Sequence, residues 1–148
     1  ARREAYRSSL YVYLPLLARY NVGLRLEAGL LWQNRGDVLD LTTFLPRGWE
    51  DAFLGRGTFG RLGALALVPL KFIDNGLVIL PVYLEALYLY GFAETVRILD
   101  GEVIGPRDLS AVGGGAGVQF RLFSHLRLDL RAGMAYRLRD GKWQTVWR

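Results

Sequence analysis

Apolar and charged side chains alternate with a period of two along most of the chain. The clearest stretch is residues 126–139, where every even position is apolar and most odd positions carry arginine or aspartate. Successive side chains of a β-strand point to opposite faces, whereas a helix would mix the two sets around its circumference. The pattern therefore predicts strands that have one apolar and one charged face.

The same split recurs, in a clean or weaker form, in five further stretches of the sequence. The six strands are predicted at 10–20, 22–33, 60–72, 77–90, 112–125 and 126–139. Soluble strands average about five or six residues, whereas these reach about 11 to 14, and a strand that crosses a bilayer needs about 9 to 11. We therefore expect an all-β, antiparallel transmembrane β-barrel with its apolar face toward lipid. The aromatic residues expected at the lipid face or in interfacial girdles are Trp32, Tyr88, Tyr90, Phe120 and Tyr136.

Composition excludes several other classes of protein. Of the 148 residues, 51% are hydrophobic and 22% charged, which is unlike a disordered chain. Cysteine is absent and His125 is the single histidine, so neither a disulfide scaffold nor a Cys/His metal cluster is expected. The glycine-rich residues 113–117 precede no Gly-Lys-Ser/Thr, so we expect them to relieve crowding in a strand rather than to bind phosphate. We expect no catalytic residue, metal or cofactor.

Connections between the predicted strands alternate between short and long. Tight turns are predicted near 19–21, 73–76 and 124–126, and long loops at 34–59 and 91–110. Asp140-Gly141 is a further hairpin signal, after which a seventh strand begins near Trp143. Outer-membrane barrels have short periplasmic turns and longer extracellular loops, and the smallest have eight strands. Residues 1–148 are therefore expected to form part of one barrel domain whose remaining strands lie elsewhere, because open edges cannot face lipid.

A set of short motifs follows in a recognisable order. Leu45-Pro46-Arg47-Gly48-Trp49 lies in the first long loop, followed by the apolar residues 60–70 and then by Phe92-Ala93-Glu94. In this order the chain, over residues 10–148, resembles the C-terminal part of the bacterial surface antigen superfamily. Those proteins are sixteen-stranded outer-membrane barrels that include the barrel-assembly insertase and two-partner secretion transporters. The resemblance implies protein insertion into, or translocation across, the bacterial outer membrane, without a cofactor.

The resemblance also implies an anchor for the first long loop. Arg47-Gly48-Trp49 matches the motif of a family loop that folds into the barrel lumen, where its arginine pairs with the acid of a Phe-x-Asp-x-Gly strand motif. Phe92-Ala93-Glu94 is the nearest match, with Glu in place of Asp and with Val96 where Gly is expected. Alternation points instead to Glu85 as the lumenal acid, and a bulge at Gly91 would place Glu94 inside as well. The alternative is that Arg47 is a solvated loop residue.

The charged strand faces are expected to line the lumen. They give it a positive balance, which either favours an acidic polypeptide segment or only hydrates the interior. The residues expected there are Arg25, Glu27, Arg61, Arg121, Arg127, Asp129, Arg131 and Arg137.

The partners expected from these patterns are the lipid bilayer, the rest of the barrel and an unfolded or secreted polypeptide. Nucleic acid is not expected despite a net charge of +5, because the basic residues are interleaved with apolar ones. Three alternatives stay open: a barrel that anchors an N-terminal soluble domain, a passive pore, and a soluble ligand-binding barrel or sandwich.

Overall fold

The computed structural model of the chain is an all-β fold with one antiparallel sheet. It describes residues 5–17, 22–34, 44–49, 56–77, 82–101, 107–122 and 126–147. Each strand pairs with its neighbours in sequence, which leaves the first and last strands as the two edges. Within the described ranges, no helix is long and apolar enough to cross a membrane. The seven strands are β1 (Ala5–Leu17), β2 (Val22–Gln33), β3 (Gly57–Leu77), β4 (Val82–Gly101), β5 (Asp108–Leu122), β6 (Leu126–Arg137) and β7 (Trp143–Trp147).

Two predicted connections lie inside strands. β4 continues to Gly101 and β5 begins at Asp108, so both ends of the long loop predicted at 91–110 belong to strands. β3 continues through the tight turn predicted at 73–76, where Asn75 pairs with Leu84 of β4. Both predictions were wrong because polar residues and a local Asn-Gly signal were read as breaks, whereas pairing with the neighbouring strand continues through them.

The other predicted connections differ less. β5 ends at Leu122 and its antiparallel neighbour β6 begins at Leu126, which agrees with the tight turn predicted near 124–126. β3 begins at Gly57, close to the predicted end of the first long loop. The turn predicted at 19–21 falls outside the described residues. The Asp140-Gly141 signal marks a hairpin, in which Gly141 has a positive φ of 67° and donates its N–H to the carbonyl of Arg137.

The two faces of the sheet differ sharply in chemistry. We call the face that binds residues 44–49 the loop face and the opposite one the apolar face. In β2 the burial alternates residue by residue from Leu26 to Gln33, so that Glu27 and Leu31 lie buried on the loop face while Leu26 and Leu30 are exposed on the other. The exposed large residues of the apolar face include Leu10, Leu26, Leu30, Leu62, Val68, Leu89, Leu128, Leu130, Met134, Trp143 and Trp147.

A β-bulge in β4 exchanges which residues face which side. The pairing of β4 with β5 passes from Leu84 to Ala86 and skips Glu85, so the bulge lies there and not at Gly91. From Ala86 to Val96 the even-numbered residues of β4 are the buried ones. Tyr88 and Tyr90, predicted to face lipid, therefore lie buried on the loop face. The prediction was wrong because one extra residue inverts the alternation of everything that follows.

Glycines of β5 make room for the aromatic residues of β4. On the loop face Tyr88 is paired with Gly117 and Phe92 with Gly113. A Cβ atom on Gly117 would lie 2.2 Å from Cζ of Tyr88, and one on Gly113 would lie 2.7 Å from Cζ of Phe92. The rings thus cover glycine backbone and form the second hydrophobic cluster of the fold with Leu65, Ala135 and Val146.

Candidate functional site

Residues 44–49, the sequence Phe-Leu-Pro-Arg-Gly-Trp, lie buried against the loop face; we call them the bound loop. Phe44, Leu45 and Trp49 belong to a hydrophobic cluster with side chains from four strands. The strand members of that cluster are Leu31, Phe59, Val96, Leu109 and Ala111. Removing this much apolar surface from water is the largest non-specific contribution to holding the loop.

Glu94 of β4 binds the bound loop through both its carboxylate oxygens. The backbone N–H of Arg47 donates to Oε2 at 2.9 Å, and Nε of Arg47 lies 3.4 Å from Oε1. Both side chains are only 4% exposed. The guanidinium of Arg47 also lies over the ring of Phe92 at 4.5 Å, in cation–π geometry. The structure thus brings together Arg47, Glu94 and Phe92 of the two predicted motifs.

Arg61 of β3 links the loop to the same carboxylate and to a second one. Its Nη2 lies 3.3 Å from Oε1 of Glu94, and its Nε lies 3.6 Å from Oε1 of Glu27. Its Nη1 donates to the carbonyl of Phe44 at 2.9 Å. Arg25 extends the series, with Nη2 3.8 Å from Oε2 of Glu27. Three arginines therefore share two buried carboxylates, which is the pairing that buried charge requires.

Arg137 of β6 holds the loop from the other side. Its Nε donates to the carbonyl of Gly48, and its guanidinium lies 4.6 Å from the centre of the Trp49 ring. Residues around the final hairpin orient it: Nη2 donates to Oε1 of Gln144, and Nη1 lies 3.6 Å from Oδ2 of Asp140. The two ends of one short backbone segment, the Arg47 N–H and the Gly48 carbonyl, are therefore bound by different strands.

Strand register explains why these groups meet. Glu27, Gly63, Glu94, Ala111 and Arg137 lie on one continuous row across five strands. Small residues at Gly63 and Ala111 alternate along this row with the long charged ones. The backbone of the bound loop can therefore approach the sheet closely between the charged side chains.

Gly48 gives the bound loop its tight curvature and its closeness to the sheet. Its φ of 84° lies in the left-handed region that favours glycine. A Cβ atom there would also lie only 2.8 Å from Cβ of Ala135 in β6. The neighbouring Trp49 donates its Nε1–H to the carbonyl of Ser110 at 3.2 Å, which fixes the indole against β5.

Glu85, the alternative anchor, contacts other residues. It forms ion pairs with Arg121 and Arg127, with Nε of Arg127 3.7 Å from Oε2. Arg121 and Arg127 lie directly opposite each other on β5 and β6, so the carboxylate separates two like charges. This cluster lies toward the other end of β4, away from Glu94. Glu85 was predicted as the lumenal acid that pairs with Arg47, but its carboxylate pairs with Arg121 and Arg127, while Glu94 pairs with Arg47.

A third polar cluster lies beside it on the loop face. The hydroxyl of Tyr88 donates to Oδ1 of Asp129, and Nε of Arg131 donates to Oδ2 at 3.1 Å. The guanidinium of Arg131 also lies 5.6 Å from the centre of the Tyr88 ring. Tyr88 thus takes part in a charged network instead of facing lipid.

The remaining predicted residues are placed by register and burial. The charged residues that were predicted to share one face do so: Arg25, Glu27, Arg61, Arg121, Arg127, Asp129, Arg131 and Arg137 all lie on the loop face. Trp32, Phe120 and Tyr136 lie on the apolar face, where Tyr136 packs on Trp143 with ring centres 5.0 Å apart.

Sequence reasoning missed the specific roles of Arg137 and Arg61. Alternation placed both on the charged face, but nothing local joins Arg137 to Gly48 across 89 positions or Arg61 to Phe44 across 17. The one available signal was the Asp140-Gly141 hairpin, which fixes Gln144 of β7 beside Arg137.

No family model, curated protein or solved structure matches this chain. Among the described residues, no group of three or more His, Cys, Asp or Glu side chains is arranged to hold a metal ion.

Proposed function

We propose that the chain is part of a β-barrel of the bacterial outer membrane that takes part in inserting or translocating polypeptides. The apolar face contacts lipid, the loop face lines the lumen, and the bound loop occupies that lumen. The observation that carries the proposal is the buried attachment of residues 44–49 to a charged sheet face whose reverse side is apolar. A sheet of a soluble protein would cover its apolar face instead.

The stagger of the strands supports a barrel. Glu27 is the sixth residue of β2 and Arg137 the twelfth of β6, yet the two lie on one row. If β2 and β6 end at the same height, the row shifts by about six residues of ~3.3 Å along the strands while it crosses four strand spacings of ~4.8 Å. The strands then tilt by roughly 45° from the barrel axis. Strands of membrane barrels tilt by about 35–45°. In a closed barrel, further strands would pair with the edges β1 and β7.

The bound loop favours transport of polypeptide over a passive pore. A passive pore needs an open lumen, whereas here Phe44, Leu45 and Trp49 cover the loop face and pack into its hydrophobic cluster. A removable internal loop suits a barrel that changes state when a polypeptide enters. Such a function needs positioned charges and apolar surface, and no catalytic residue or cofactor.

Membrane orientation can be tested with single-tryptophan variants in lipid vesicles. Trp143 is exposed on the apolar face and Trp49 is buried on the loop face. Brominated acyl chains should quench the variant that retains only Trp143 and leave the variant that retains only Trp49 bright. Equal quenching of both, or no quenching of Trp143, would rule out the proposed orientation.

Activity can be tested in the same vesicles with a second, urea-unfolded β-barrel polypeptide. We expect the protein to accelerate the folding of that polypeptide into the bilayer relative to empty vesicles. Steady ion conductance without accelerated folding would support a passive pore. If the protein shows neither conductance nor acceleration, the result would support an anchor for another domain.

A further inference from the structure

A groove crosses the apolar face from β1 to β5. It consists of two adjoining cavities of about 490 and 730 Å³. The alanines Ala28, Ala64 and Ala93, on three neighbouring strands, line it with their small side chains. Volumes of this size match sites for small molecules, which are roughly 300–1,000 Å³. The residues that line both cavities are Leu10, Ala28, Leu62, Thr95 and Ser110.

The groove has one apolar end and one polar end. The smaller cavity is lined mainly by aliphatic residues such as Val12, Leu26 and Val112. The larger one adds Ser8, Arg97 and Asp108. Where the two meet, Oγ1 of Thr95 and Oγ of Ser110 are hydrogen-bonded at 2.8 Å, which lowers the cost of placing two hydroxyls on an apolar surface.

Arg97 is the charged group of the polar end. Its Nε lies 3.5 Å from Oδ1 of Asp108, and 74% of its side chain is exposed. The terminal part of the guanidinium is therefore accessible from the groove. A guanidinium matches the geometry of a phosphate, and an arginine at the edge of an apolar face can snorkel to the headgroup level of a bilayer.

We propose that this groove binds one anionic phospholipid, with an acyl chain in the apolar end and the phosphate on Arg97. The inference rests on the proposed function, because the apolar face must contact a bilayer. Charge complementarity favours an anionic headgroup, since the ammonium of a zwitterionic headgroup would compete with Arg97 for the phosphate. Arg97 lies near the end of β4, on the side of the sheet where β2 and β3 are joined, so the bound lipid belongs to the leaflet on that side.

Lipid retention by the purified protein tests the proposal. The protein in mild detergent is mixed with equal amounts of phosphatidylglycerol and phosphatidylcholine, re-isolated and weighed intact by native mass spectrometry. We expect one bound phosphatidylglycerol in preference to phosphatidylcholine. Arg97→Gln should reduce that preference by roughly tenfold or more, as for one lost charge-assisted hydrogen bond.

Two further variants separate the two ends of the groove. Arg139→Gln removes an exposed arginine that lines neither cavity and should retain phosphatidylglycerol as the unsubstituted protein does. Ala64→Leu fills the groove and should reduce retention of both lipids. A protein that binds no lipid, an unchanged preference in Arg97→Gln, or a dimer in place of the lipid complex would overturn the proposal.

Brominated-lipid quenching distinguishes this failure from a failure of the proposed function. A protein that inserts but retains no phosphatidylglycerol contradicts only the lipid site. A protein whose Trp143 is never quenched contradicts both.

Discussion

Substituting Glu94 with alanine should release the bound loop. Oε2 of Glu94 accepts a hydrogen bond from the backbone N–H of Arg47 at 2.9 Å. Its Oε1 lies 3.4 Å from Nε of Arg47 and 3.3 Å from Nη2 of Arg61. Both partners are buried, and breaking a buried ion pair by removing one member costs about 3–5 kcal/mol. Each ~1.4 kcal/mol changes an equilibrium constant tenfold. If about 3 kcal/mol of the loss falls on loop attachment, the population of released loop therefore rises by at least roughly 100-fold.

Glu85→Ala is the matched control, because it removes a carboxylate from the same strand and the same face. The side chain of Glu85 is 18% exposed and that of its partner Arg127 is 74% exposed. Solvent-exposed pairs contribute only about 0–1 kcal/mol. The control should therefore leave the bound loop in place.

Trypsin reads out the release directly, because it cleaves after arginine and Arg47 is buried in the bound loop. When loop opening is fast, cleavage follows the population of the open form. The fragment that ends at Arg47 should appear about 100-fold faster with Glu94→Ala than with Glu85→Ala, as measured by mass spectrometry in detergent. Equal cleavage rates would refute the anchoring role of Glu94. Should the alanine variant fail to fold, Glu94→Gln keeps an acceptor for the Arg47 N–H and should be cleaved at an intermediate rate.

Three further substitutions test other contacts of the loop face. Gly48→Ala should destabilise the protein by at least about 1–3 kcal/mol in urea unfolding, because its φ is 84° and its new Cβ would meet Ala135. Arg137→Lys keeps the charge but loses the fork that joins Gly48 to Gln144, so we expect a loss of about 1.5–3 kcal/mol and a red-shifted emission from the only-Trp49 variant. Gly117→Ala places a methyl group against the Tyr88 ring and should lower the free energy of unfolding in urea by about 1–3 kcal/mol. An unfolding midpoint equal to that of the unsubstituted protein would contradict this packing.

Period-two alternation predicted the strands and most of their faces because both properties are local. In β2 and β6 the apolar and charged positions follow one uninterrupted pattern, and the sheet places them as expected. In β4 the same reasoning failed beyond Glu85, since a bulge depends on pairing with neighbouring strands. Tyr88 and Tyr90 were consequently assigned to the wrong face, although Gly117 of β5, which receives the ring of Tyr88, and Gly133 of β6, which lies beside the hydroxyl of Tyr90, are visible in the sequence.

Contacts of the bound loop were less predictable because they join distant positions. Arg47 and Glu94 were related only through a motif resemblance, and they lie 47 residues apart. The structure gives the pairing a physical cause: the register aligns Glu94 with Gly63 and Ala111, whose small side chains leave room for loop backbone. No local pattern contains that register, because it depends on how three strands align.

The loop face divides into a buried and an exposed set of charges, and the division bears on how a polypeptide would displace the loop. Around Glu94 the ion pairs are buried and directional, whereas around Glu85 the arginines are solvent-exposed. An entering segment gains little by displacing exposed pairs, which water already solvates. To displace the bound loop it must replace the acceptors that Arg137 and Arg61 lose, namely the carbonyls of Gly48 and Phe44. The backbone carbonyls of any extended segment can do this. The carboxylates of an acidic segment add charge-assisted acceptors for the arginines, whereas the cations of a basic segment are repelled by them. We therefore expect acidic segments to compete with the loop more strongly than basic ones of equal length.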